Sequence, residues 1–346
     1  MDALTEPGLL VSMLLVAVCA VVICLAGVKL ATVVDQLADR TGMGEALAGA
    51  LLLGMATSLA GIVLSVTAAS RGQAELAMSN AVGGIAVQTL FLTVADMTLR
   101  RVNLEHAAAS LGNMLQGTLL LCLLAIIMVG AFAPEYTIWS VHPATIVLFG
   151  GYLYGLHVIR SGQAADMWQP TQTAETREDR PAEDSASHSL ASLWCWFLGL
   201  ASLLGISGWI LHHAATAIAS QTAIGEAAVG ILLTSIVTSL PELVTAVAAA
   251  RRGALTLAVG GIIGGNAFDT LFAAASDVAY REGSIYHAVS DSVLLWVALS
   301  IVMTGVLLMG LIRREKRGLG EIGFESVSLI LIYAAGVGMV LMRDLP

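Results

Sequence analysis

Charge is what this chain has least of. Only 12% of its 346 residues are Asp, Glu, Lys or Arg, 57% are hydrophobic, and the mean hydropathy is +0.85. Soluble domains carry about 25% charged residues, so a water-soluble fold is excluded. Cysteine is nearly absent: Cys19, Cys24, Cys122 and Cys195 sit in apolar runs without CxxC spacing or clustered histidine. That argues against a disulfide framework or a zinc site and leaves the four as apolar filler. A basic leader is missing as well. Met1–Gly8 is acidic and has no small-residue cleavage site, so the first apolar run is expected to persist as a helix rather than to be removed as a signal peptide. With a net charge of −9, no nucleic-acid partner is expected. The short alternating segments that build a membrane β-barrel are also lacking.

What the sequence does contain is a succession of apolar stretches of 20 or more residues, each long enough to cross a hydrocarbon layer roughly 30 Å thick. Runs this continuous can satisfy their backbone groups in lipid only as helices. The expectation is an all-α polytopic membrane protein with about ten transmembrane helices, at 9–33, 44–70, 76–98, 108–133, 138–160, 191–213, 224–250, 255–280, 286–312 and 322–342. With that count, 13 Lys and Arg residues fall on one face, and only Arg71, Arg281 and Arg343 fall on the other. Basic residues in short loops mark the cytoplasmic side. Both termini are therefore expected outside a cell membrane. The acidic, proline-containing segment 161–190, with Asp166, Glu175, Glu178, Asp179, Glu183 and Asp184, reads as a solvated cytoplasmic linker.

One phrase is written twice. "TSLAGIVLSV" begins at Thr57 and "TSLPELVTAV" at Thr238, an offset of 181 residues, and 18 of the 40 positions in 57–96 match 238–277. The matches include Arg71-Gly72 against Arg252-Gly253, and Asp96 against Asp277. The span map repeats at the same offset, with five helices in each copy. An odd number of helices per copy turns the second copy upside down, so the expected architecture is two inverted five-helix repeats, 1–160 and 191–346, joined by the linker. Pro241 is expected to interrupt its helix, and Ala60 removes that breaker from the other copy. The glycines of "GGIIGG", Gly260 to Gly265, fit either an interrupted helix or close helix packing.

Glu242 and Asp269 lie deep inside apolar runs, where a carboxylate costs a few kcal/mol or more unless a partner meets it. Ser235, Thr238, Ser239 and Thr245 share a helical stripe with Glu242. On the next span, Asn266 lies three residues before Asp269, with Thr270 and the carbonyls near Gly264 and Gly265 close by. Carboxylate, hydroxyl, amide and carbonyl oxygens without His or Cys suit a hard cation such as Na⁺ or Ca²⁺. In the first copy the matching positions are Thr57, Ser58, Gln88 and Gly61, which offer neutral oxygens only. Asp96 and Asp277, near span ends, read as structural acids that cap a helix or meet headgroups. Asp291 reads as a vestibule residue, and His157, His212 and His213 as wet interfacial histidines. Trp139, Trp194, Trp196 and Trp209 read as aromatic belts.

These residues resemble the calcium/cation antiporter superfamily, which includes sodium/calcium and proton/calcium exchangers. Its signatures are of the kind T-S-x-P-E and G-S-N-x-F-[ND]. Here they stand as "TSLPE", Thr238 to Glu242, and "GGNAFD", Gly264 to Asp269, with Gly265 in place of the usual serine. The resemblance implies a ten-helix inverted repeat and ion coordination by Thr238, Ser239, Glu242 and Asp269, with Thr57, Ser58 and Gln88 inheriting the role by position. The first-copy motif is degenerate, because Gly61 stands where an acid is usual.

The function this implies is secondary antiport by alternating access at a midplane site, exchanging Ca²⁺ or another divalent cation against Na⁺ or H⁺. The expected ion-binding set is Glu242, Asp269, Thr238, Ser239, Gln88, Thr57, Ser58, Asn266 and Gly265, with Glu242 and Asp269 as the metal-ligating acids. Two acids neutralise one divalent ion, whereas several Na⁺ in its place would leave net positive charge in a low-dielectric site. A proton taken up by a carboxyl when the ion leaves is the other coupling. No enzymatic activity is expected, and no cofactor beyond the transported cations; the partners are inorganic cations and the lipid bilayer. Two other readings remain open. One is an ion-binding paralogue acting as a channel, leak or sensor; the other is an intramembrane hydrolase using paired acids.

Overall fold

The computed structural model describes residues 8–41, 54–99, 103–162, 189–222, 224–314 and 323–344. Helices dominate throughout. They are α1 (Leu9–Thr41), the short α2 (Gly54–Thr57), α3 (Leu59–Ser70), α4 (Ala74–Asp96), α5 (Leu104–Ala108), α6 (Leu111–Phe132) and α7 (Pro143–Gly162), followed by α8 (Leu190–Gln221), α9 (Glu226–Val229), α10 (Ser235–Thr238), α11 (Leu240–Arg252), α12 (Leu255–Ala279), α13 (Asp291–Arg313) and α14 (Phe324–Asp344). Among the described residues, the only β pairing is the isolated bridge between Ile138 and Val141. Seven helices among the described residues are long and apolar enough to cross a membrane, or eight if the bent pair Glu226–Thr238 and Leu240–Arg252 forms one span. The acids of the expected linker and the first part of span 44–70 lie outside the described residues.

Burial sorts these helices into layers. In α4 and α12, 89% and 78% of the apolar window is buried, against 28% in α1 and 22% in α8. The two central helices are rich in Ala, Gly, Ser and Thr, which let neighbouring backbones approach on every side. By contrast, α1 turns Leu10, Leu14, Val18, Val21 and Leu25 outward, an apolar face suited to lipid rather than water.

The doubled phrase folds into doubled geometry. Each copy breaks its helix at an equivalent serine: Ser58 at φ −82°, ψ 2° and Ser239 at φ −96°, ψ 5°. Both values fall in the bridge region between helix and strand. The second break bends its span by 47°. The first copy is thus interrupted even though Ala60 stands where the second has its proline. Proline is not what makes the break; Ser58 interrupts the first copy without it.

The Arg-Gly pair ends each broken helix in the same way. Gly72 and Gly253 have φ of +79° and +85°, a left-handed conformation that glycine adopts without steric cost. Gly72 N donates to Ala69 O and Gln73 N to Ala68 O; Gly253 N donates to Ala250 O and Ala254 N to Ala249 O, all at 3.0 Å. These paired bonds satisfy the last carbonyls of a helix in the Schellman manner.

Asp96 and Asp277 form a second matched pair, both buried. Each accepts from the backbone N–H eight residues later, Leu104 at 2.8 Å and Ile285 at 3.1 Å. Each also accepts a hydroxyl from a distant helix: Ser326 of α14 to Asp96 at 3.1 Å, and Thr145 of α7 to Asp277 at 2.6 Å. Residues 145 and 326 are themselves 181 apart. The structural reading of these acids holds, but they brace loops and cross-link helices rather than cap their own helix or meet headgroups. His212 also departs from expectation. It is 1% exposed within α8, one turn before Thr216, which accepts from Gln73 Nε2 at 3.2 Å. Asp291 is exposed in the first turn of α13, and Trp139, Trp194, Trp196 and Trp209 are all exposed.

Candidate ion-binding site

Four elements bring polar atoms to one point inside the bundle. At the α10–α11 break, Glu242 occupies the first turn of α11, one residue after Pro241. Proline is tolerated there because the first N–H groups of a helix have no intrahelical partner, and the positive end of the helix dipole favours an acid. From α12 comes Asp269. The α2–α3 break presents Ser58, and α4 presents Gln88. Glu242 and Asp269 are 5% and 2% exposed.

The hydrogen bonds lock these groups together. Ser58 Oγ lies 2.6 Å from Asp269 Oδ1 and 3.5 Å from Glu242 Oε1. Gln88 Nε2 donates to Asp269 Oδ2 at 2.7 Å and to Ser239 Oγ at 3.2 Å. The pairing follows the repeat register, since Ser58 corresponds to Ser239 and Gln88 to Asp269. They line a small, partly open cavity of about 10 Å³, roughly the space of one water. Glu242 Oε2 and Gln88 Oε1 are buried with no hydrogen-bond partner. Buried acceptors are rarely left unmatched, so an oxygen-seeking cation fits this donor set.

Not every expected residue reaches the cavity. Thr238 and Ser239 line it with Ser58, Gln88, Glu242 and Asp269. Thr57 donates to Gly54 O at 3.3 Å and also bonds to Glu242. Asn266 faces α4 instead, donating to Thr89 Oγ1 at 2.9 Å and to Ile85 O at 3.3 Å. Gly265 backs onto Gln88, whose Oε1 lies 3.6 Å from where its Cβ would stand. Thr245 and Thr270 bond to carbonyls of their own helices. No group of three or more His, Cys, Asp or Glu suited to a metal occurs among the described residues.

Sequence reasoning missed Asn80 and Phe272, both in the cavity wall. Asn80 donates to Ser65 Oγ at 3.0 Å and Gly61 O at 3.3 Å, and accepts from Thr234 Oγ1 at 2.7 Å. It ties the first break to the π-helical turn Gly230–Thr234 that leads into the second. An amide buried in an apolar span was a usable signal. Phe272 gave none.

The model of the family described as "Sodium/calcium exchanger protein" matches residues 11–157 and 192–342. The chain belongs to the sodium/calcium exchanger family. Membership makes it a membrane transporter rather than an enzyme in the catalytic sense. Two relatives match over most of the length of this exchanger-family chain. CaxA of Alkalimonas amylolytica, provisionally named an antiporter, is 27% identical over 285 residues, 82% of this chain and 86% of CaxA. The inner membrane protein YrbG of Escherichia coli (strain K12) is 26% identical over 246 residues, 70% of this chain and 72% of YrbG. Among solved structures, the H⁺/Ca²⁺ exchanger CAX superposes with a TM-score of 0.68 at 13% identity, covering 97% of this chain and 87% of that one. The sodium-calcium exchanger NCX_Mj superposes at 0.60 and 16% identity, covering 95% and 99%. These similarities establish the fold.

Proposed function

We propose that this exchanger-family protein is a secondary antiporter that carries Ca²⁺, or a divalent cation like it, against H⁺ or Na⁺ through the Glu242–Asp269 site. One observation supports this above the others: two buried carboxyls and a ring of neutral oxygens line one small cavity, with acceptor oxygens still unmatched. Ten spans in two inverted five-helix repeats, 1–160 and 191–346, would put this site where the repeats meet near the midplane. The two helix breaks would then be the flexing points of alternating access, and a site that is neutral when loaded would move most easily through apolar surroundings. In this reading both termini lie outside and 161–190 is cytoplasmic.

The experiment is a flux assay in proteoliposomes with imposed H⁺ or Na⁺ gradients. Glu242→Gln should abolish gradient-driven Ca²⁺ uptake while leaving the purified protein folded and monodisperse. Near-normal uptake by that variant would remove Glu242 from the mechanism. A second reading, an uncoupled leak or sensor, draws on Gly61 standing where the second copy has an acid. Ca²⁺ flux that ignores both gradients would favour it.

A further inference from the structure

We infer that Gly27 of α1 and Gly208 of α8 are positioning residues for the ion site, each a notch that seats the helix break of the other copy. The inference rests on the reading that the Glu242–Asp269 cavity takes a cation, and it adds the residues that hold the two breaks around that cavity.

The two glycines stand 181 residues apart, which is the offset of the doubled phrase, and so do the residues they touch. A Cβ on Gly27 would lie 2.4 Å from Pro241 Cγ and 2.7 Å from its Cβ. A Cβ on Gly208 would lie 2.2 Å from the carbonyl oxygen of Ala60, 3.0 Å from the carbonyl carbon and 3.1 Å from Cα. Carbon atoms make their best contact at roughly 3.5–4.0 Å, so neither position has room for a side chain. The contacts are crossed: α1 of the first copy seats the second break, and α8 of the second copy seats the first. Such closeness is not general along α8. At Gly205 a Cβ would meet only Val63 Cγ2, at 3.8 Å, and at Gly199 it would meet nothing within 4 Å.

Both notches are carried by one pair of helices. α1 and α8 lie side by side, with Cys19 Sγ 3.6 Å from Ser207 O and with Val33 and Leu37 packed on Leu193. Small residues let helix backbones approach closely in a membrane, and here the approach falls beside the site. Pro241 immediately precedes Glu242, and Ala60 lies two residues after Ser58, whose hydroxyl meets Asp269. A displacement at either notch therefore reaches a polar atom of the cavity within one turn of helix. The two seats differ in kind. Pro241 presents side-chain atoms, which a substitution can remove; Ala60 presents its backbone, which no substitution removes.

The test is Ca²⁺ titration and thermal unfolding of the purified full-length protein, run on the same variants. Gly27→Ala and Gly208→Ala should each weaken Ca²⁺ binding by about fivefold or more, because a methyl forced into a filled contact displaces its neighbours. Gly199→Ala, exposed on the same α8, should leave the affinity unchanged. Rescue then separates positioning from general damage. Pro241→Gly removes both atoms that a methyl at position 27 would strike, so Gly27→Ala/Pro241→Gly should bind Ca²⁺ as tightly as Pro241→Gly alone. Ala60→Gly leaves the carbonyl in place and should not rescue Gly208→Ala. Alanine variants that melt earlier yet keep wild-type affinity would overturn the inference, as would rescue at both seats or at neither. If an alanine variant does not fold, recovery of folded, Ca²⁺-binding protein by Pro241→Gly and not by Ala60→Gly draws the same distinction. A wild type that binds no Ca²⁺ would sink the antiport reading instead, and the notch would then stand or fall on whether positions 27 and 241 are coupled in thermal unfolding.

Discussion

A single hydroxyl proton on Ser58 faces two carboxyls, at 2.6 Å from Asp269 and 3.5 Å from Glu242. It can serve only one at a time, and the shorter distance assigns it to Asp269; the other oxygen of Glu242, Oε2, is buried without a hydrogen-bond partner. Removing that donor should leave Asp269 poorly oriented. Ser58→Ala is expected to weaken Ca²⁺ binding by about tenfold or more, because a hydrogen bond to a charged group contributes roughly 1.5–3 kcal/mol; titration calorimetry reads this directly. An unchanged affinity would mean that Ser58 is packing and not part of the site. At this scale the acids were legible because a carboxyl inside an apolar run is conspicuous. Phe272 was not, since a phenylalanine among hydrophobic residues looks the same whether it packs a core or walls a cavity. Only its distance from Gly61 distinguishes it, and distance between residues 61 and 272 is not written in either stretch alone. Asn266 failed in the opposite sense. Its spacing from Asp269 suggested a ligand, but its amide turns to Thr89 and Ile85 on α4.

Helix interruption belongs to the next scale. Ser58 and Ser239 break their helices with nearly the same backbone angles, although only the second break is followed by proline. The turn is thus set by what surrounds it: Asn80 pins the carbonyl of Gly61 on one side and the hydroxyl of Thr234 on the other. Replacing the proline should consequently be tolerated. Pro241→Ala is expected to hold Ca²⁺ affinity within about threefold of wild type, a change of well under 1.4 kcal/mol. A much larger loss would show that the ring, and not its neighbourhood, maintains the bend. Segment existence and order were readable from hydropathy, because length and apolarity are properties of a stretch. The break in the first copy was not, because it depends on contacts from α4.

For the whole molecule, the 181-residue offset carries into three dimensions through the paired breaks, the two Schellman ends and the two acid braces. The proposed topology makes a further prediction. In a cysteine-free background, Ser161→Cys at the end of α7 should react with a membrane-impermeant thiol reagent only from the cytoplasmic side. Arg281→Cys, in the exposed turn after α12, should react only from outside. Labelling of both from one side would break the span count. That count is where sequence and structure part: ten spans are expected, and among the described residues seven helices, or eight with the bent pair, satisfy length and apolarity. The breaks at Ser58 and Ser239 divide two of the expected spans into shorter helices, whereas the polar and glycine-rich central helices α4 and α12 still meet the criterion.

The acid braces carry a consequence for how far the two copies can be parted. Asp96 takes its hydroxyl from Ser326 and Asp277 takes its own from Thr145, so each anchor is completed by the other part of the polypeptide. Cut apart between the copies, each acid would keep the backbone donor of its own loop, Leu104 for Asp96 and Ile285 for Asp277, but would lose its hydroxyl, so the two stretches depend on one another for a fully satisfied interior.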